Sequence, residues 1–348
     1  MEPALQKRLL QRLQNIERKE LPTFHVVMLP DFFVDHFVFF ETVEQPCHAI
    51  QTLAKQGGGN LPGVAQQIHQ GGNAANTALG LASLGMSSHL ICQTTPLGLH
   101  LLQYFLGRQG VDLSGVRTDG SLAMTTVVEL QNPRANIMLG DPGSVATYRF
   151  EHLQDHDHEL LASASLVGVT NWNLNRYGTD LACKVFEEAK KHQVKTFFDS
   201  GDPSPRIDDI PELFEKVLKN PHLDVFGLNE NELRYYSKST CQTHDEMLAA
   251  VEALKRNIPA RIDVHTSQFS GSLQERLTVV PTLSIPTVYR STGAGDIWNA
   301  ANIFADLLSF ADDERLLFAN IVAGRYIASS EILPPRLDML INFIKSNL

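Results

Sequence analysis

Short apolar runs punctuated by Pro, Gly and Asp divide the chain into two stretches with different rhythms. Between His25 and about Phe150 the runs FHVVML, FFVDHFVFFE, TTVVEL, ANIMLG and ATYRF are rich in branched and aromatic residues, the pattern of β-strands. One helix interrupts them. Its spacing predicts Asn73–Leu84, with Ala74, Ala75, Ala78, Leu79 and Ala82 suited to close packing, Gly71-Gly72 ahead and Gly85 as the C-terminal stop. From about Ala164 the runs ASLVGVT, VKTFFD, HLDVFGLN and ARIDVHT mostly alternate with helical segments such as DLACKVFEEAKKH and HDEMLAAVEALKR. That alternation predicts an α/β fold, a parallel sheet with helices on both faces. At the start, Leu5, Leu9, Leu13 and Ile16 recur near helical spacing and predict an amphipathic helix docked on the body.

Length and charge narrow the function classes. The 348 residues suffice for one large α/β domain or two ordinary ones. The 29 Lys and Arg against 39 Asp and Glu leave a net charge of −10, which argues against a nucleic-acid partner or an acidic membrane. A polyphosphate would have to be held by local devices, helix N-termini and backbone amides. Cys47, Cys92, Cys183 and Cys241 lie far apart and read as free thiols in a reducing compartment. No apolar run approaches the roughly 18 residues of a membrane helix. The first residues lack the apolar stretch of a secretory signal, and Glu2, Glu17 and Glu20 fit a transit peptide poorly, so a cytoplasmic location is expected.

Candidate chemistry gathers at strand ends and at one glycine-rich turn. Asn171, Asp199, Asn229 and Thr266 fall where the later strands finish, the side on which open α/β sheets bind ligands. The sharpest feature is Ser291-Thr292-Gly293-Ala294-Gly295-Asp296. It runs into a segment whose Ile297, Ala300, Ala301, Phe304, Ala305 and Leu308 form a helical apolar face. Glycines that open a helix let unpaired amides approach an anion, and the helix dipole favours negative charge there. Asp296 has two readings: a carboxylate that serves the helix start, or a general base for an attacking hydroxyl. The standard P-loop is absent, the third glycine of a dinucleotide fingerprint is missing, and there is no H-R-D loop.

Taken together, these motifs resemble the ribokinase/PfkB family of sugar and nucleoside kinases. Pro30-Asp31-Phe32-Phe33-Val34-Asp35 resembles the family's first strand with its aspartates, and Gly71-Gly72-Asn73-Ala74-Ala75-Asn76 its di-glycine signature. Asn229-Glu230-Asn231-Glu232 matches N-x-x-E, and Thr292-Gly293-Ala294-Gly295-Asp296 the C-terminal signature, with Asn320 following in a helix. The likeness covers roughly residues 24 to 345. It implies a ribokinase-like fold: a central, mainly parallel sheet flanked by helices, with a small β-sheet lid. The boundaries expected are a helical extension over 1–23 and a kinase domain over 24–348, with lid strands from about 31–45 and 120–150.

The roles implied are specific. Asp296 corresponds to the catalytic base, and the amides of Gly293, Ala294 and Gly295 to the anion hole. Asp35, Gly72, Asn73 and Asn76 correspond to substrate-binding positions, and Asn229, Thr266, Gly271, Thr292 and Asn320 to the nucleotide side. Asn229 and Glu232 would help place Mg2+, largely through water, with ATP as co-substrate. Three departures stand out. Arg290 occupies the place where the family commonly has an aspartate that helps hold a monovalent cation. The nucleotide loop T-x-G-x-x-G reads Thr266-Ser267-Gln268-Phe269-Ser270-Gly271, and D-x-N-x-R is replaced by Asp199-Ser200-Gly201-Asp202-Pro203.

Other signals carry less. His152, His156 and His158 beside Asp155 and Asp157 could suggest a metal, but a solvated connection accounts for them. Trp172, Phe32, Phe33, Phe37, Phe39 and Phe40 could stack on a ligand, although lid packing is the simpler role for most. Arg134 and Arg149 could meet a substrate phosphate. The expectation is therefore phosphoryl transfer to a hydroxyl of a small sugar-like substrate. The alternatives are a nucleoside or sugar-phosphate kinase, or a non-catalytic sugar or nucleotide sensor. A lid edge strand could also pair with a second copy to form a homodimer.

Overall fold

The computed structural model describes residues 3–17 and 23–347. Its strands are β1 His25–Leu29, β2 Phe33–Phe40, β3 Gln66–Gly71, β4 Ser87–Leu90, β5 Cys92–Gln93, β6 Val116–Arg117, β7 Ala123–Gln131, β8 Arg134–Asp141, β9 Leu166–Val169, β10 Lys195–Asp199, β11 Val225–Asn229, β12 Arg261–His265, β13 Phe269–Leu273 and β14 Leu277–Pro281. Its helices are α1 Pro3–Glu17, α2 Glu44–Lys55, α3 Asn73–Ser83, α4 Pro96–Phe105, α5 Asp155–Ser163, α6 Gly178–Lys191, α7 Ile210–Leu213, α8 Glu230–Ser237, α9 His244–Lys255, α10 Ala294–Leu307, α11 Asp312–Ile327 and α12 Leu337–Ser346.

Eight strands form one sheet in the order β14-β13-β12-β11-β10-β9-β1-β4. The six from β12 to β4 are parallel, and β13 and β14 add an antiparallel edge. Alternation along β1 sorts the two cores. Val26 and Met28 face the cluster built with α1, α3, α10, α11 and α12, whereas Val27 and Leu29 face the one built with α6, α8 and α9. Burial on both faces is why the later strands read as continuous apolar runs. In α1, Leu5, Leu9 and Leu13 are buried against the first of these clusters.

A second sheet, β3-β2-β7-β8, lies apart from the main one. It draws its strands from residues 33–40, 66–71, 123–131 and 134–141. The run ATYRF is not a strand. Gly143, with φ of +48°, turns the chain into two short 3-10 turns, Gly143–Thr147 and Phe150–His152, and Tyr148 between them is fully buried. No helix among the described residues is long and apolar enough to cross a membrane.

Candidate active site

Two helix starts and four strand ends converge on one place. Gly293, with φ of +79°, turns the chain into α10, and Asp296 sits in the first helical turn. Opposite it, Gly72, with φ of +96°, leads into α3. A Cβ on Gly72 would lie 2.7 Å from Asp31 Oδ2 and 3.0 Å from the Phe32 backbone, so only glycine lets the two segments approach this closely. Asp31 is fully buried and binds them together. It accepts from the Ala74 amide at 3.1 Å, Thr170 Oγ1 at 3.0 Å and Asn171 Nδ2 at 2.8 Å. Across the gap, Asn76 Nδ2 donates to Asp296 Oδ2 at 2.9 Å.

Three cavities meet at this turn. One, of about 360 Å³, lies between the small sheet and the 289–292 segment, lined among others by Asp35, Phe37, His69, Asn76, Arg290, Thr292 and Tyr326. A second, of about 240 Å³, is polar and acidic, bounded by Asn73, Asn171, Asp199, Asp202, Asn229, Glu232, Gly293, Gly295 and Asp296. The third, of about 460 Å³, is mostly apolar; Leu283, Ile285, Val288, Trp298 and Ile327 line it together with Thr266 and Asn320. Ala294 and Gly295 border the third, while Asn76 and Thr292 border the first.

The electrostatics follow from burying several carboxylates together. Burial, above all, pushes Asp296 well above the ordinary carboxylate range; the Asn76 hydrogen bond opposes this, and Asp199, Asp31 and Asp35 add to it. A helix N-terminus would by itself favour the charged form, so desolvation and like charges outweigh the dipole here. Burial likewise pushes Asp35 up to about 6, opposed by a Thr125 hydrogen bond. Glu232 rises through burial and through Asp199.

Asn229 is the N-cap of α8. Its Oδ1 accepts from the Asn231 and Glu232 amides at 2.8 and 3.0 Å, while Glu232 Oε2 accepts from the Asn229 amide at 2.8 Å. The N-x-x-E spacing thus closes a reciprocal cap that fixes Glu232 at the cavity wall. Apart from the His265 imidazole, the side chains of this acidic wall offer oxygen and amide groups, and burial and mutual repulsion hold Glu232 and Asp296 up. Both features suit a hydrated, hard divalent cation. Among the described residues, no group of three or more His, Cys, Asp or Glu is arranged to hold a metal directly.

The remaining candidates separate. Asn320 lines the apolar cavity, where its Oδ1 accepts from Ser270 Oγ at 2.5 Å and from Trp298 Nε1 at 2.9 Å. Thr266 borders the same cavity, but its hydroxyl closes its own turn with Phe269. Gly271 borders none of these three cavities: it lies within β13, paired with Val264 and Val279. Thr292 lies on the small-sheet side, away from the apolar cavity. Asp199 accepts from Asn299 Nδ2 at 2.6 Å and from the Gly201 amide at 2.9 Å.

His152, His156 and His158 do not converge. His152 sits in a 3-10 turn against Tyr148, His156 bonds Ser114 Oγ at 3.0 Å, and His158 packs on Phe150. Trp172 is buried under Arg206, and Arg149 lies over the Tyr177 ring. Arg134 lies outside the described side chains. His265, at the end of β12, is a site residue that sequence reasoning missed. Its only signal was a histidine inside the apolar run ARIDVHT.

A mainly parallel sheet between helices, a separate small sheet and a glycine-opened helix at the strand ends define a ribokinase-like phosphotransferase fold. The profile of the pfkB family carbohydrate kinases matches residues 48–331. The chain belongs to that family, and it is a kinase. A 5-dehydro-2-deoxygluconokinase of Geobacillus thermodenitrificans is 24% identical over 292 residues, spanning 79% of this chain and 84% of that one. Among solved structures, an Arabidopsis thaliana ribokinase complexed with ribose and ATP superposes with a TM-score of 0.76 at 19% identity, covering 93% of this chain and 99% of the other. An adenosine kinase from Sinorhizobium meliloti gives a TM-score of 0.74 at 17% identity, with 94% and 100% covered.

Proposed function

We propose that this kinase transfers a phosphoryl group from ATP to a hydroxyl of a small sugar or sugar-like acceptor. The observation that carries the reading is the meeting of three cavities at one helix start. The acceptor would lie in the cavity beneath the small sheet, which acts as a lid. The adenosine would occupy the apolar cavity, and the phosphates would cross the turn between them. The structural relative with ribose and ATP supports this pairing of ligands.

Asp296 lies where an acceptor hydroxyl would meet the phosphoryl group, and it would take that proton as general base. Asn76 holds one oxygen of this carboxylate and leaves the other for the hydroxyl. The amides of Gly293, Ala294 and Gly295 would receive the charge that spreads over the transferring group. Mg2+ bound with the nucleotide would be held near Asn229 and Glu232 through water, neutralising phosphate charge. Closing the lid would exclude water, the competing acceptor. A coupled assay for ADP release over sugars, sugar phosphates and nucleosides tests the reading. Nucleotide binding without turnover on any of them would favour the non-catalytic sensor. Phe37 and Phe39, stacked at 6.2 Å beside the acceptor cavity, favour a nucleoside as the second reading, which the same panel separates.

Arg290 supports a further expectation in that assay. Its guanidinium lies over Tyr326 and donates to the carbonyls of Ser329 and Ser330 at 3.3 and 2.9 Å. A fixed cation therefore occupies these carbonyls, at the position where the family resemblance implies an aspartate that helps hold a monovalent ion. Turnover is expected to be the same in sodium and potassium buffers, and severalfold activation by potassium would overturn this.

The lid's outer edge supports self-association. Ile137, Met138 and Leu139 are consecutive on the edge strand β8, yet they are 45%, 53% and 61% exposed, so neither face of the strand is covered. We propose pairing with a second copy there. Sedimentation should show a dimer that Leu139→Lys converts to monomer; a monomeric wild-type protein would end this proposal.

A further inference from the structure

His265 sits at the junction that the nucleotide's phosphates would have to cross. It ends β12, and its ring borders both the acidic and the apolar cavity. A Cβ on Gly295 would come within 2.9 Å of His265 Nε2, so the imidazole edge lies directly against the backbone of the anion-hole turn. The ring's plane is fixed from behind. It stacks on Trp298 at 4.8 Å and 27°, and Trp298 Nε1 is tied to Asn320 Oδ1 at 2.9 Å. Asn320 is held in turn by Ser270 and by the Pro281 carbonyl, so orientation passes from α11 through α10 to the imidazole.

The two ring nitrogens differ. Nδ1 is shut away from solvent and has no hydrogen-bond partner among the described residues, whereas Nε2 faces the turn. A buried N–H without an acceptor is worse tolerated than an underused acceptor. The proton therefore belongs on Nε2, which makes that nitrogen a donor aimed at the anion hole. Burial holds the ring neutral, pushing it down to about 4, so it supplies a hydrogen bond without a charge.

We propose that His265, through Nε2–H, is a side-chain donor to the terminal phosphates of the nucleotide and complements the amides of Gly293–Gly295. The nearby loop carries Gln268 rather than a glycine, and Thr266 Oγ1 is spent on its own turn; a donor from β12 supplies a contact which that loop does not. This inference rests on the kinase reading above.

Calorimetry separates the two. The wild-type protein and His265→Phe, which keeps a flat ring against Trp298 but has no N–H, are titrated with ADP, a non-hydrolysable ATP analogue and adenosine. Losing a hydrogen bond to a charged group should weaken both phosphate-bearing ligands roughly 10- to 100-fold and leave adenosine unchanged. Equal affinities in the two proteins would overturn the role of His265. Failure of the wild-type protein to bind any nucleotide would instead overturn the kinase reading. A parallel loss for adenosine would mean that the ring merely supports the cavity. Should His265→Phe not fold, 15N spectra of the wild-type imidazole decide: ADP should shift Nε2 and leave Nδ1 unmoved, and no shift at Nε2 would refute the contact.

Discussion

Asp296→Asn should lower turnover by roughly 10²- to 10⁴-fold, the range for a positioned general base, while nucleotide affinity stays within a few-fold of wild type. Asparagine preserves the volume and can still accept the Asn76 hydrogen bond, but it cannot take a proton from the acceptor. The same substitution should not reduce stability. Because burial and neighbouring carboxylates raise Asp296 in the folded state, its contribution is fully present below the unfolded value and is lost as pH rises through the folded one. The ionised carboxylate is thus a cost at neutral pH, and the amide removes it. Thermal unfolding should therefore show an equal or higher midpoint at pH 7, and a shrinking difference on acidification. Wild-type turnover should fall as pH drops through the raised value. Turnover retained in the variant, or loss matched by an equal loss of nucleotide affinity, would sink the assignment.

Much of this site was legible because backbone demands leave traces in residue type. Gly293 and Gly72 stand at positive φ, and Asn229 with Glu232 forms a cap whose spacing is that of one helical turn. The parallel strands were equally visible, since burial on both faces leaves unbroken apolar runs. Strand β13 was not. FSGSL is half small and polar, but Ser270 and Ser272 are fully buried because Asn320 and Asp263 accept their hydroxyls. Strand β3, QQIHQG, hid for the opposite reason: it is an edge of the small sheet, exposed over its first half, with little to bury. His265 could not be told from a core histidine, because its meaning lies in contacts with Gly295 and Trp298, which are distant in the chain. Asp31 and Asp35 read as a pair of aspartates, and the family resemblance alone singled out Asp35 for substrate. The fold gives the two distinct places, Asp31 as a buried clamp and Asp35 in the lining of the cavity beside the small sheet.

Asp263→Asn should cost about 3–5 kcal/mol of stability, the scale for leaving buried charge uncompensated. Asp263 is fully buried on the same face of β12 as His265, two residues earlier, and joins four elements. It accepts from Arg315 of α11 at 2.9 Å, Asn302 of α10 at 2.8 Å, Ser272 of β13 at 2.6 Å and Arg261 of its own strand at 2.9 Å. Burial alone would raise this carboxyl, but Arg261, Arg315 and the Ser272 hydroxyl hold it well below the ordinary range. A depressed carboxylate contributes stability above its unfolded value and loses it only in strong acid, so the cost of the variant should be flat across neutral pH. Removing the charge strands Arg315, which is 1% exposed and retains Asp312 at 2.8 Å as its remaining carboxylate partner. Urea unfolding should show a lower midpoint at unchanged slope. The double variant Asp263→Leu with Arg315→Met should lose less than the two single changes summed, because neither charge is then left unpaired. The consequence reaches the site: Asn302 lies one turn beyond Trp298 on α10, so this network seats the helix whose first turn carries Gly295 and Asp296. A loss below about 1 kcal/mol would mean that apolar packing alone seats α10, and that the network does not hold the Gly293–Gly295 turn over the strand ends.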